Sequence, residues 1–556
     1  MPADPPVTAH PQDRRLFPNA AEAADWEALR AGFAWHWPEQ FNIATACCDS
    51  WAEAEPDRVA LIDLAEDGAR DWTYGALKEA SDRLASVFLA AGLRKGDRVA
   101  VLLSQSAAVP VVQFAAMKCG AVALPLFTLF GADALSYRLA DSGAKITVTD
   151  AESLPKLLGI AADLPDLSTI FCTSACEGAA DLWAEIAAAD PLPRPVATLA
   201  EDPAVMIYTS GTTGPPKGVL HAHRFLFGHL PCMELTHGGF PQPGDKGWTP
   251  ADWAWIGGLM DMALPCLYYG VPLVAHRMRK FEAAAALALI EQHNIRNLFL
   301  PPTALKLMRG TPVPAGVSIR SISSGGESLG AEMLAWGQNS LGAAINELYG
   351  QTECNLCITQ TAAFMPVKPG TMGQALPGFD VAVLDAEGLP CAPGSVGEIA
   401  IRKGAASMFL RYWNQPEKTA AKFRGDWLLT GDLGYCDADG YFTFVSRDDD
   451  VITSAGYRIG PSEIENCLMG DPDVLMAAAI GVPDPIRTES VCAYVVLNPA
   501  ASEPADTIAQ RLITRVKTRI SPHVAPREVV FVQTLPMTAT GKVMRRELRA
   551  AHPAAS

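Results

Sequence analysis

A short β-rich apolar run, a Gly/Ser loop and a helical pattern follow one another repeatedly along this chain. "RVAVLLS" leads into "AAVPVVQFAAMKCG" and on to "AVALPL". "AVMIYTSGTTG" leads into "HAHRFLFGHL", and "NLFLPP" precedes "TALKLMRG". "IRSISSGGESLG" opens "AEMLAWGQNSLG", and "INELYGQTE" follows. Alternation of this kind folds into parallel sheets covered by helices on both faces. Ligands of such sheets collect in loops beyond the C-terminal ends of the strands. Three loops hold that position: Thr209–Gly218, Ser323–Ser328 and Gly350–Glu353.

The grammar changes after Asp432. "YFTFVS" predicts a short strand, and Asp448, Asp449 and Asp450 form a charge cluster suited to a solvated junction. Ser462 and Glu465 then predict a capping box, on a helix that buries Ile464, Cys467 and Leu468 and ends at Gly470. Strands "VLMAAAIGV" and "SVCAYVVL", a helix near 508–520 and the strand "EVVFV" complete a small α+β unit. A chain of 556 residues holds more than one domain. The expected division is an N-terminal domain over 1–447 and a C-terminal one over 448–556.

Lys and Arg number 44 against 61 Asp and Glu, a formal charge of −17. That balance argues against a nucleic-acid or anionic-membrane partner and leaves a small anionic ligand open. The thirteen cysteines sit in apolar company, as reduced thiols do. "CNLC" (Cys354 and Cys357) has metal spacing, but no second C-x-x-C completes a zinc site, so buried free thiols are expected. The N-terminus has no apolar core of signal-peptide type, and charges and prolines break the most apolar windows. A cytoplasmic protein without a membrane span is expected.

"YTSGTTGPPKGV", from Tyr208, is too rich in Gly and Pro for a helix interior. Walker A demands G-x-x-x-x-G-K-[ST]. Here Pro216 stands where the second glycine belongs and Gly218 where the hydroxyl belongs. The ingredients still suit phosphate. Gly211 and Gly214 expose backbone N–H groups, and Thr209, Ser210, Thr212 and Thr213 add hydroxyls. Lys217 adds charge, and a following helix would present its N-terminus.

This loop resembles the signature of the adenylate-forming acyl- and aryl-CoA synthetases. "SGGESL", "LYGQTE", "LLTGDLGY", "SRDDDVITSAGYRIGPSEIE" and "PMTATGKVMRREL" match further motifs of that family, in its order, from about Asn42 to Arg549. The resemblance implies a large N-terminal domain of packed α/β subdomains and a small mobile α+β C-terminal domain. It implies a reaction in which a carboxylate attacks the α-phosphorus of ATP and the acyl group then passes to coenzyme A. Short- to medium-chain acids are the expected substrates. Aryl acids, or a carrier protein as acceptor, are the alternatives, and the oligomeric state stays open.

The resemblance also assigns residues. Glu353 is the Mg²⁺ ligand, and Asp432 takes the ribose hydroxyls. Gly326, Glu327 and Ser328 flank adenine, with Glu347, Leu348, Tyr349, Gly350, Gln351 and Thr352 beneath the nucleotide. Arg447 and Arg458 stand near ribose and phosphates, where a planar guanidinium binds in bidentate fashion. Thr209 and Lys542 join Glu353 as catalytic residues, Lys542 reaching the junction of carboxylate and α-phosphate. Trp253, Trp255, Ile256, Gly257, Gly258, Gly325 and Gly350 match the acyl-pocket segment. Asp449 is the hinge, and Gly456 lines the pantetheine tunnel.

Overall fold

The computed structural model describes residues 10–23, 25–65, 68–209, 215–326, 329–447, 450–454, 457–484, 487–522, 524–538 and 542–552. Among these, the strands form four sheets. The parallel centre of the first runs through Pro203–Thr209, Val122–Pro125, Arg98–Leu102, Ile146–Thr149 and Thr169–Cys172. The second places Gly247–Trp248, Asn297–Phe299, Ser321–Gly325 and Ile345–Gln351 side by side in parallel. The β-loop-α grammar therefore produces the expected class: a large N-terminal domain of mixed α/β sheets and a smaller C-terminal domain. The third sheet is antiparallel and contains Gly397–Arg402, Trp427–Cys436 and Phe442–Arg447.

The core sits between the sheets. Helix Ala108–Lys118 is buried along its whole length, which explains why it is apolar on every face except at Gln113 and Lys118. Its single charge is paired: Lys118 Nζ lies 2.7 Å from Asp49 and 2.6 Å from Asp82. A buried ammonium persists only with such partners. Cys354 and Cys357 are both fully buried thiols on the strand Cys354–Thr359. Three residues apart on a strand, they point to opposite faces. No helix among the described residues is long and apolar enough to cross a membrane.

The fourth sheet joins Ile452–Ser454, Tyr457–Ile459, Val474–Asp484, Thr488–Leu497 and Glu528–Phe531. Helix Pro461–Met469 packs on it with Ile464 and Leu468 fully buried, and Gly470 caps its end.

Three local expectations fail, each for a physical reason. The segment after the Thr209–Gly218 loop is the strand Lys217–Ala222, hairpinned onto Pro203–Thr209, and presents no helix N-terminus. Ser462 caps nothing, because Pro461 starts the helix one residue earlier and Gly460 holds the cap position. Glu465 instead accepts the N–H of Ala479 at 2.8 Å and a guanidinium fork from Arg545 at 2.8 Å. Asp450 is not solvated either. It pairs with Arg545 at 3.2 Å and Arg549 at 3.1 Å, both on the C-terminal helix Arg545–Ala551.

Candidate active site

The hairpin register sets Thr209 opposite Lys217 at the mouth of the signature loop. Gly218 explains the departure from Walker A. A Cβ there would lie 3.0 Å from Met206 Sδ and 3.2 Å from both Trp413 Cβ and Tyr208 Cζ, so a side chain at this position would crowd all three. Ser210, Gly211, Thr212, Thr213 and Gly214 lie outside the described residues.

Lys217 Nζ stands 4.7 Å above the ring of Tyr412. The Tyr412 hydroxyl donates to Glu353 Oε1, so one tyrosine ties the loop lysine to the candidate metal ligand. Burial lowers the Lys217 ammonium below the usual lysine range. Glu353 opposes that shift, and Lys422, Lys418 and Arg447 add to it. Several cations thus converge on one partly dehydrated place, and an incoming polyphosphate would relieve their repulsion.

Asp432 occupies the next position round. Gly431, at φ +75°, turns the strand Trp427–Cys436 so that the Asp432 carboxylate faces inward. Its Oδ2 accepts from the Tyr349 hydroxyl and from Gln351 Nε2, each at 2.7 Å. Cross-strand pairing sets Asp432 beside Arg447, whose Nε lies 3.7 Å from Oδ1. Tyr349, Gln351, Glu353, Asp432, Arg447, Lys217 and Thr209 therefore surround one place. Gly350 and Thr352 lie in the same hairpin, where a Gly350 Cβ would meet Asn355 Oδ1 at 2.8 Å.

Gly326, at φ +104°, turns the chain at the end of the strand Ser321–Gly325. A Cβ on it would lie 3.5 Å from the Trp255 ring and 3.8 Å from Lys542 Cε. A lysine of the smaller C-terminal domain thus lies against the N-terminal domain, on the loop beside the strand that carries Tyr349. Its own turn is braced by hydrogen bonds with Thr538.

The AMP-binding enzyme family matches residues 48–413, and the AMP-binding enzyme C-terminal domain matches residues 463–542. The chain belongs to the AMP-binding enzyme family. It is 36% identical over 528 residues to the mitochondrial acyl-coenzyme A synthetase ACSM2 of Rattus norvegicus, with 92% of each chain covered. It is 33% identical over 549 residues to the acetyl-coenzyme A synthetase of Bacillus subtilis, covering 95% of this chain and 93% of that one. Its fold is similar to that of the anthranilate CoA ligase AuaEII solved with anthranoyl-AMP. There the TM-score is 0.86 at 26% identity, covering 93% of this chain and 98% of the other.

Most of the other described residues that the resemblance assigns are buried. Glu347 points beneath the site, accepting the N–H of Leu329 at 3.0 Å, and burial pushes its carboxyl up to about 8. Leu348 and Trp253 are buried in the main core, as is Ile256. Gly257 leaves room for the Trp255 ring, which a Cβ would approach to 2.8 Å, and Gly258 lies against the Asp252 carbonyl. Gly325 packs on the Leu348 carbonyl. Arg458 lies on the strand Tyr457–Ile459. Glu327, Ser328, Asp449 and Gly456 lie outside the described residues.

Sequence reasoning missed Tyr412, Lys418 and Lys422. The stretch "RYWNQPEKTAAKF" reads as an ordinary charged surface segment, and only the pairing of Arg411–Tyr412 with Val219–Leu220 brings it to the loop.

Proposed function

We propose that this AMP-forming acid–thiol ligase activates a short- to medium-chain carboxylic acid with ATP and transfers it to coenzyme A. In the first half reaction a carboxylate oxygen attacks the α-phosphorus and the bond to pyrophosphate breaks. In the second, a thiol sulfur attacks the acyl carbonyl, the thiol proton is lost and AMP leaves. Both first-step reactants are anions, so positive groups that act most strongly in the transition state carry the rate. Lys217 and Lys542 supply them, Asp432 accepts the ribose hydroxyls, and Arg447 lies beside it. Thr209 and Gly326 present the loops on either side.

Glu353 fits Mg²⁺, which takes one or two carboxylates together with phosphate oxygens. Its carboxylate is held by one hydroxyl donor, leaving acceptor capacity over. When bound, the ion neutralises phosphate charge. All thirteen cysteines are free thiols, which suits the reducing cytoplasm.

The observation that carries this reading is the approach of Lys542 Cε to the Gly326 turn, on which the Trp255 ring also lies. It is the arrangement an adenylating enzyme needs while the acyl-adenylate is formed. The chain then divides at 447/448. Rotation about Asp449 withdraws Lys542 and brings Gly456 to the thiol channel, where a side chain would obstruct passage.

Protein, ATP and Mg²⁺ mixed with a graded panel of acids, with and without coenzyme A, test the reading. Pyrophosphate with any acid, and thioester once coenzyme A is added, is the expected result. Pyrophosphate without thioester points to a carrier protein as acceptor, and no pyrophosphate with any acid defeats the ligase reading. Gly456→Leu is expected to spare adenylation and block thioester formation.

A further inference from the structure

Three residues from separate elements of the fourth sheet and its last helix meet at a place the nucleotide site does not use. Cys492 lies on the strand Thr488–Leu497 and Glu528 opens the parallel strand Glu528–Phe531, and the register sets these two side by side. His552 caps the C-terminal end of the helix Arg545–Ala551. Leu548, one turn earlier in that helix, packs into the same apolar cluster as Cys492 and Tyr494. Cys492 and Tyr494 are two residues apart on their strand and face the same side of it. The end of the helix therefore lands on both.

The spacing of the polar atoms sets this cluster apart from an ordinary hydrogen-bonded brace. One ligand atom from each of Cys492, Glu528 and His552 lies within 4.8 Å of the other two. His552 Nε2 stands 3.6 Å from Glu528 Oε2, and Nδ1 stands 4.0 Å from Cys492 Sγ. An N–H···O hydrogen bond runs from about 2.7 to 3.2 Å, so the imidazole and the carboxylate are too far apart for one. Ligands about 2.0–2.3 Å from a tetrahedral zinc ion stand roughly 3.3–3.6 Å from one another. A small contraction brings the three groups to that spacing.

Tyr494 supplies the outer contact, its hydroxyl lying 2.8 Å from His552 Nδ1. With the Nδ1 proton donated to that oxygen, Nε2 keeps its lone pair on the Glu528 side, the arrangement that orients a metal-binding histidine. Cys492 is fully buried and the His552 side chain is 12% exposed, whereas that of Glu528 is 53% exposed, so an ion enters past the carboxylate.

We propose that Cys492, His552 and Glu528 form a zinc site. Thiolate, imidazole and carboxylate are all zinc ligands, and the thiolate disfavours the hard cations Mg²⁺ and Ca²⁺. Three protein ligands leave the fourth position of the tetrahedron to water. As the zinc–sulfur bond forms, the Cys492 thiol proton passes to solvent. The bound ion ties the C-terminal helix to two strands of the sheet. That helix also carries Arg545 and Arg549, which hold Asp450. Zinc therefore braces the element that follows Lys542.

The test titrates the whole chain, kept reduced and in excess Mg²⁺, with Co²⁺ as a coloured substitute for zinc. Mg²⁺ keeps to oxygen ligands and does not compete for a thiolate. A sulfur-to-cobalt charge-transfer band that saturates at one equivalent, and is bleached by Zn²⁺, is the expected result. Cys492→Ser is expected to abolish the band. Tyr494→Phe is expected to weaken zinc binding by about tenfold or more, and Glu528→Gln, which loses a ligand, by at least as much. Saturating zinc is expected to raise the melting temperature of the wild type and to leave that of Cys492→Ser where it was.

Absence of the band in the wild type overturns the proposal. So does a band that survives in Cys492→Ser, which places the ion on another of the thirteen cysteines. If Cys492→Ser does not fold, Glu528→Gln decides, since it alters a largely exposed side chain. Unchanged zinc affinity in that variant leaves only an imidazole–carboxylate ion pair at the end of the helix, and the site falls.

Discussion

The proposed nucleotide side of this site and the buried polar cluster of Asp261, Asn355 and His229 are built in opposite ways. On the proposed nucleotide side, each group sits within three residues of a glycine: Asp432 after Gly431, Glu353 in the Gly350–Glu353 hairpin, Lys217 before Gly218. The groups act outward, on a highly charged ligand common to many acids. In the buried cluster, Asp261, Asn355 and His229 come from three elements far apart in sequence and face one another within the protein. A nucleotide site needs backbone N–H groups and cations at fixed places, and short motifs provide them. A buried cluster needs polar groups satisfied by their neighbours, and those neighbours are set by tertiary packing.

The sharpest break between the two sides is Lys542→Ala. Removing one preorganised positive group from a phosphoryl-transfer centre costs about 10²–10³ in rate, or roughly 3–4 kcal/mol. Pyrophosphate release is expected to fall by that much with every acid, while thioester formation from supplied acyl-adenylate persists. An equal loss in both half reactions would show that the lysine does not alternate between them.

Tyr412→Phe comes next. The hydroxyl donates to a carboxylate, an interaction worth about 1.5–3 kcal/mol. We expect kcat/KM to fall roughly tenfold or more, with more Mg²⁺ needed for half-maximal rate, and the ranking of acids to stay as it was. A changed ranking would mean that the two sides are coupled through the Gly350–Glu353 hairpin. Tyr412 also shows where the sequence stops being legible. The alternation of strands and helices, and the residues Glu353, Asp432 and Lys217, follow from local pattern and resemblance. Tyr412 is invisible because its role depends on a two-residue strand pairing beyond the signature loop. Asn355 reads as one polar letter between Cys354 and Leu356, and nothing nearby announces its bonds to His229 and Asp261. The helix expected after the loop failed for a related reason: the hairpin onto Pro203–Thr209 decides the conformation, and propensity yields to it.

Asn355→Ala addresses the buried cluster alone. It strips His229 Nε2 and Asp261 Oδ1 of a shared donor, each left buried. A loss of about 1–3 kcal/mol in unfolding free energy is expected, together with an altered ranking of acids and an unchanged KM for ATP. Denaturant titration and a two-substrate kinetic series check both. A rise in the KM for ATP without any change of ranking would place Asn355 with the nucleotide side.

The smallest effect lies beneath both sides, at Glu347. Its carboxyl is pushed from 4.5 up to about 8 by burial and holds the Leu329 N–H below the Gly326 turn. Between those two pH values the native state keeps a proton that the unfolded chain gives up. The native state therefore binds more protons, and this group's contribution to stability declines as pH rises through that window. Below about pH 4.5 both states are protonated and no penalty arises; above about 8 the penalty is complete. Glu347→Gln presents a neutral acceptor of nearly the same shape at every pH. Its melting temperature is expected to match the wild type near pH 4.5 and to exceed it by a few degrees, roughly 2–4 °C per kcal/mol, at pH 8. A variant less stable than wild type at pH 8 would mean that the Leu329 N–H needs an ionised acceptor. The turn between nucleotide and acyl group would then be held by charge, and Glu347 would belong with the electrostatics of the nucleotide side.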